Sequence, residues 1–135
     1  MPQDPQKSDG TSLQRPTVRP TTPEEKAARD ISEVAAVEVI TTAAVHLMSA
    51  AAVKCGLGED SGQERGRDLM DLDEARKLIT ALAGLVTASA PDLGNQHARS
   101  LRDGLRSLQL AFREASPFPD APGDGPGEAL TGAVS

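Results

Sequence analysis

Four arginines, Arg99, Arg102, Arg106 and Arg113, are the side chains whose type and spacing most readily point to chemistry. On a helix, at about 100° per residue, they fall within about 60° of one another, as a ridge about 21 Å long. Guanidinium groups in a row suit carboxylates or phosphates presented by a partner, because each planar fork donates paired hydrogen bonds. The bland alternative is a solvated flank, whose stems shield neighbouring leucines and whose heads pair with the acidic loop that begins at Gly58. Arg99, Arg102, Arg106 and Arg113 are therefore the candidate partner-binding residues.

Other chemistry is thinly supplied. His46 and His97 are the only histidines and Cys55 the only thiol. Glu38, Thr42, His46 and Ser49 share a narrow polar strip, but Glu38 and His46 lie eight residues, or about 12 Å, apart along a helix, too far for one ion. His46 could reach the hydroxyl of Ser49 or Thr42, yet no third orienting group and no oxyanion hole accompany them. The glycines at 56, 58, 62 and 66 match neither nucleotide-binding pattern and follow no strand. No catalytic residue, metal ligand or cofactor is assigned, and the chain is read as a non-enzyme. An enzyme or ligand carrier built around His46 is the least favoured alternative.

Charge and composition narrow the partners. The 135 residues carry a formal net charge of −6, which argues against DNA, a general nucleic-acid role and an anionic membrane surface. The chain has no Trp and no Tyr, so it lacks stacking platforms for single-stranded nucleic acid. RNA, if bound, is bound through backbone and shape. One cysteine excludes an internal disulfide. The N-terminus shows no basic-then-apolar leader, and the uncharged run from Val39 to Val53 falls short of the ~20 apolar residues of a membrane span. The expected location is the cytoplasm, without membrane attachment.

The elements that position these residues are helices. Residues 1–29 are rich in Pro, Gln, Ser and Thr and are expected to be a disordered tail. Within them Thr22, Pro23, Glu24 and Glu25 form a helix-start signal for a short lead-in turn. The folded domain is expected at 30–116. Its first helix, Ile31 to Cys55, starts at Asp30 with Glu33 in the capping-box position and ends at Gly56 and Gly58. An apolar arc of about 240° makes it the expected centre of the domain, which the other helices cover. An acidic loop follows from Gly58 to Asp68. The second helix, Leu72 to about Ala90, is capped by Asp71 with Glu74. It carries Leu72, Ala75, Ile79, Leu82 and Val86 as its seam, with Leu78 and Leu85 beside it, and ends at Pro91. The third, capped by Asn95 and reaching Ala115, has Leu101, Leu105, Leu108 and Phe112 along one side. Pro117, Pro119 and Pro122 then stop regular structure, so 117–135 is assigned as a Gly/Pro-rich tail, disordered or lying on the surface. The fold class is all-α, a small three-helix antiparallel bundle. Its core has few aromatics, and a homodimer burying Leu78, Leu85 and the uncovered part of Met48 would relieve that shortage.

Three segments, AVEVITTAAVHLMSAAAVKCGL (36–57), DLDEARKLITALAGLV (71–86) and SLRDGLRSLQLAFREASPFPDAPG (100–123), carry a family look. They resemble the bacterial family termed domain of unknown function 1844, in its high-GC Gram-positive form. The resemblance implies no catalytic residues. It implies a gene neighbourhood with translation initiation factor three and two large-subunit ribosomal proteins, an association rather than a mechanism. The function expected is therefore that of a small helical interaction protein with an unknown protein partner, linked to translation or ribosome assembly. The alternative is an RNA- or ribosome-binding accessory factor that uses the arginine ridge directly. If the first helix is the centre, Leu47→Ala should cost ~2–5 kcal/mol by lost transfer energy plus cavity, whereas Leu13→Ala should cost nothing measurable in a thermal melt.

Overall fold

The computed structural model describes residues 22–25, 32–57 and 69–134. The chain divides into a unit up to Val34 and a unit from Ala35 onward. In the first, residues 23–25 form a helical turn with a reciprocal capping box. The Glu25 amide donates to Thr22 Oγ1 at 3.1 Å, and Glu25 Oε1 accepts from the Thr22 amide at 3.3 Å. The rest of the N-terminal tail, Asp30, and the loop at 58–68 lie outside the described residues.

The second unit is a three-helix antiparallel bundle with a C-terminal strap, and no strand occurs among the described residues. Its elements are α1 (Ala36–Lys54), α2 (Leu72–Leu93), α3 (Asn95–Ala115) and the single turn α4 (Glu128–Thr131). The first helix starts five residues later than expected, with Ala35 at the cap and no side-chain cap bond. Ser32 is helical, but Glu33 lies in a turn and Val34 in a bend, both exposed, so the helix is interrupted there and α1 begins afresh at Ala36. The stop is as expected at Gly56 (φ 87°): Leu57 N donates to Ala52 O at 2.8 Å and Gly56 N to Val53 O at 2.9 Å, the paired bonds of a Schellman closure.

Asp71 starts α2 by accepting from the Glu74 amide at 3.2 Å. Only half of the expected box forms. The Asp71 amide donates instead to Lys54 O at 2.8 Å, tying the start of α2 to the end of α1, and the Glu74 carboxylate pairs with Lys77. Pro91 does not end α2. The helix runs on to Leu93, which is buried, and stops at Gly94 (φ 82°). Pro91 removes one amide in the last turn on an exposed face, where the orphaned Thr87 carbonyl can reach water, while Leu93 anchors the turn to the core. With Gly94 at the cap position of α3, Asn95 becomes its first residue and makes no cap bond.

The largest revision concerns the centre. The best-buried face belongs to α2, not α1: Ala75, Ile79, Leu82 and Ala83 are fully buried and Val86 nearly so. α2 packs against α1, α3 and α4. Its small residues Ala75 and Ala83 let neighbours approach closely, and its larger ones fill the space between them. On α1 only Ala44 and Ala51 are buried, while Val37, Ile40, Leu47, Met48 and Ala52 are partly covered. Val39, Val45 and Val53 are 46%, 51% and 37% exposed. α3 packs chiefly on α2, so both neighbours meet α1 on one side and the part of its 240° arc at Ala36, Val39, Ala43 and Val45 is left exposed. By length and composition alone α1, at 19 residues and mean hydropathy 1.6, could cross a membrane, with 11% of that window buried. The close approach of α1 to α3 falls at Gly104, where an added Cβ would lie 2.8 Å from Met48 Sδ.

The expected stripe of α3 holds in full: Leu101, Leu105, Leu108 and Phe112 are buried, with Ala98 and Gln109 beside them. Past Ala115 the disordered alternative fails for residues 117–134. The chain turns, packs α4 against α2 and buries Pro126, Gly127, Glu128 and Val134. A composition that disfavours regular helix is held here by a few specific bonds, described below. These burials reverse the order expected for core truncations. Leu82→Ala should now cost ~2–5 kcal/mol and the half-covered Leu47→Ala clearly less, as read from urea unfolding midpoints at constant slope.

Candidate functional site: the arginine flank of α3

The alternation along α3 that buries Leu101, Leu105, Leu108 and Phe112 sets the arginines on the adjoining side. The structure divides the four. Arg113 is half-buried and donates from Nη1 to Asp120 O at 3.2 Å, so it serves the strap. Arg99, Arg102 and Arg106 are exposed and make no hydrogen bond or ion pair among the described residues. The free ridge is therefore three residues spanning about 10 Å of helix, half the length expected. Asp103 stands between Arg102 and Arg106 in sequence without bonding either.

A cavity of about 380 Å³ opens beside this flank, between α2, α3 and the strap. Arg102, Asp103 and Arg106 line its polar side, and Val86, Leu105 and Val134 its apolar side. The wall is completed by Gln109, which is 2% exposed. Its Nε2 donates to Pro126 O at 3.0 Å and to Thr131 Oγ1 at 3.1 Å, using both amide hydrogens to hold the strap. Sequence reasoning passed over Gln109, although its place beside Leu105 and Leu108 on the helical wheel is a buried position. A buried amide there signals that something polar covers it.

Three further contacts fix the strap and so the cavity's rim. Arg76 pairs with Asp120 at 2.9 Å while its guanidinium lies 4.9 Å over the ring of Phe112. With the side chains 43% and 29% exposed, this pair orients more than it stabilises. Glu128, 5% exposed, accepts at Oε1 from Gly123 N at 2.9 Å. Gly127 (φ +76°) lies so close to the bundle that a Cβ would sit 2.6 Å from Ala83 Cβ and 3.2 Å from Gln109 Nε2.

The remaining chemistry-bearing residues are not assembled. His46 and His97 are exposed on different helices. Cys55 is buried, and burial pushes its thiol up from the ordinary value, so the reactive thiolate is disfavoured. Among the described residues no three His, Cys, Asp or Glu side chains converge as a metal site.

A family model described as Domain of unknown function (DUF1844) matches residues 36–114. The chain belongs to this family. The DUF1844 region begins at the first residue of α1 and ends one residue before the last of α3, so it coincides with the bundle and leaves the strap outside. It contains all three free arginines, and also Arg76, Gln109 and Arg113, which hold the strap. No curated protein and no solved structure matches the chain.

The strap's seat depends on Gly127. Gly127→Ala forces both a left-handed backbone at an alanine and a clash with Ala83, and should destabilise by about 2–4 kcal/mol. Hydrogen exchange should show lost protection at 123–134, with α1 protection retained.

Proposed function

We propose that this DUF1844 protein is a small, non-enzymatic, cytoplasmic interaction protein that recognises carboxylates on a protein partner through Arg99, Arg102 and Arg106. One observation carries the reading. Three guanidinium groups stand exposed and unpaired on one rigid helix, in a chain of net charge −6, while Arg76 and Arg113 are bound to the strap. An acidic chain repels acidic partners at a distance, so a local cationic line selects where such a partner docks and how it is turned. Because α3 is anchored by four buried large side chains, the line needs little ordering on binding. The family resemblance directs the search for the partner first to the translation apparatus.

Affinity purification at low and high salt tests this. Arg102→Glu with Arg106→Glu should leave the circular dichroism spectrum and melting curve nearly unchanged, because both side chains are exposed and hold no other part of the bundle. The double variant should lose the partners that the natural chain recovers. A folded double variant that still recovers them would make the flank merely solvated. An RNA partner would be revealed by a log–log salt slope of about −2 for three phosphate contacts on a single strand.

A further inference from the structure

The outer face of α1 goes beyond the arginine flank, and its pattern is specific. Ala36, Val39, Ala43, His46, Ala50 and Val53 recur at alternating steps of three and four, a heptad seam running the length of the helix. All are exposed except Ala50, which is partly so. The inner seam of α1, through Ala44 and Ala51, is a different line and is already used by α2 and α3. The outer seam has no covering element among the described residues of this unit.

We infer that this seam pairs with the same seam of a second copy, antiparallel, as a weak reversible dimer. The argument is the register. About a two-fold axis between Ala44 and Val45, Ala36 meets the partner's Val53, Val39 meets the partner's Ala50, and Ala43 meets the partner's His46. Each of the six layers then sets one alanine against one larger side chain, so the layers have even thickness and the helices can lie close. A parallel pairing sets alanine on alanine and valine on valine, alternating gaps with crowding, and stacks the two His46 rings in one layer. The antiparallel arrangement also places Thr42 near the partner's Ser49 on one flank. It brings the half-covered Ile40 and Leu47 together on the other.

The area sets the strength. Eighteen residues of helix make a strip about 27 Å long and about 10 Å wide, on the order of 300 Å² per copy before the flanks are counted. With the flanks the total stays at the low end of specific interfaces, below about 1,200 Å², the size class of weak, transient contacts. His46 limits the affinity, since an imidazole at the central layers is taken from water and finds only alanine. A lipid surface is the competing occupant of an apolar helix face, and it gains nothing from the six-layer match.

Sedimentation equilibrium of the full chain from 5 to 500 μM is the first test. The mass should rise from 14.0 kDa toward twice that value. His46→Leu should tighten the dimer about tenfold by removing the desolvation cost. Ala43→Glu and, as a second exposed substitution, Val39→Lys should keep the chain monomeric while folded. In a Cys55→Ala background, mixed Val39→Cys and Ala50→Cys chains should crosslink on mild oxidation, and neither should crosslink alone. A constant monomer mass at 500 μM overturns the proposal, as does Ala43→Glu dimerising normally. Self-crosslinking of Val39→Cys alone overturns the antiparallel register. Flotation of the chain with phosphatidylcholine–phosphatidylglycerol vesicles, with no dimer in solution, would assign the face to lipid and overturn the proposal.

Discussion

The fold depends on one face of α2. Ile79, Leu82 and Val86 are withdrawn from water there, and Ala75 and Ala83 between them keep the surface low enough for other elements to settle on it. α1, α3 and α4 each pack on this helix. Full burial of such side chains contributes about 1.5–3 kcal/mol apiece, set against a backbone entropy of about 1–2 kcal/mol for every residue fixed. In a bundle whose only interior ring is Phe112, that balance leaves little surplus. Hence a cation, Arg76, covers the ring of Phe112, and the strap closes over an amide, Gln109, where a larger domain would use another apolar layer.

How much of this was legible in the sequence differs from helix to helix, for physical reasons. α3 was legible because its leucines are separated by arginines and serines, so only one side can be buried. α1 was not. Its alanines and valines surround the helix, and such a surface indicates burial without indicating a direction. Which arc was covered depended on α3 choosing α2, which is a property of the assembled bundle. The caps follow the same rule. Asp71 and Gly56 work as their types predict, whereas Asn95 is displaced by a neighbouring glycine whose backbone turns the chain more sharply than a side-chain cap can.

The strap was misread for a different reason. Averaged over nineteen residues, its prolines and glycines disfavour order. Its order rests instead on individual groups: the Asp120 carboxylate and carbonyl, the Pro126 carbonyl, the Thr131 hydroxyl and a glycine at 127. Their partners Arg76, Gln109 and Arg113 come from two helices, 44, 17 and 7 residues away, and composition does not record which groups meet. The candidate site inherited the same difficulty. Four arginines of one type on one helix face looked equivalent, and only the position of Asp120 separates the one that anchors from the three that remain free.

The two exposed surfaces of the bundle rest on opposed physics. The flank of α3 is charged, and the influence of its arginines reaches about one Debye length, ~8 Å at physiological ionic strength, and fades as salt is added. The outer face of α1 is apolar, so its attraction survives added salt and is strengthened by strongly hydrated anions such as sulfate. A chain of net charge −6 feels both effects in self-association, because screening also weakens repulsion between copies. Salt therefore moves the two surfaces in opposite directions. The proposed seam of α1 is apolar along its length apart from His46, with Lys54 on its flank, whereas the proposed contact through Arg99, Arg102 and Arg106 is made chiefly by charge. Under the two proposals the contacts are therefore separable by salt, because screening weakens the one and leaves the other in place.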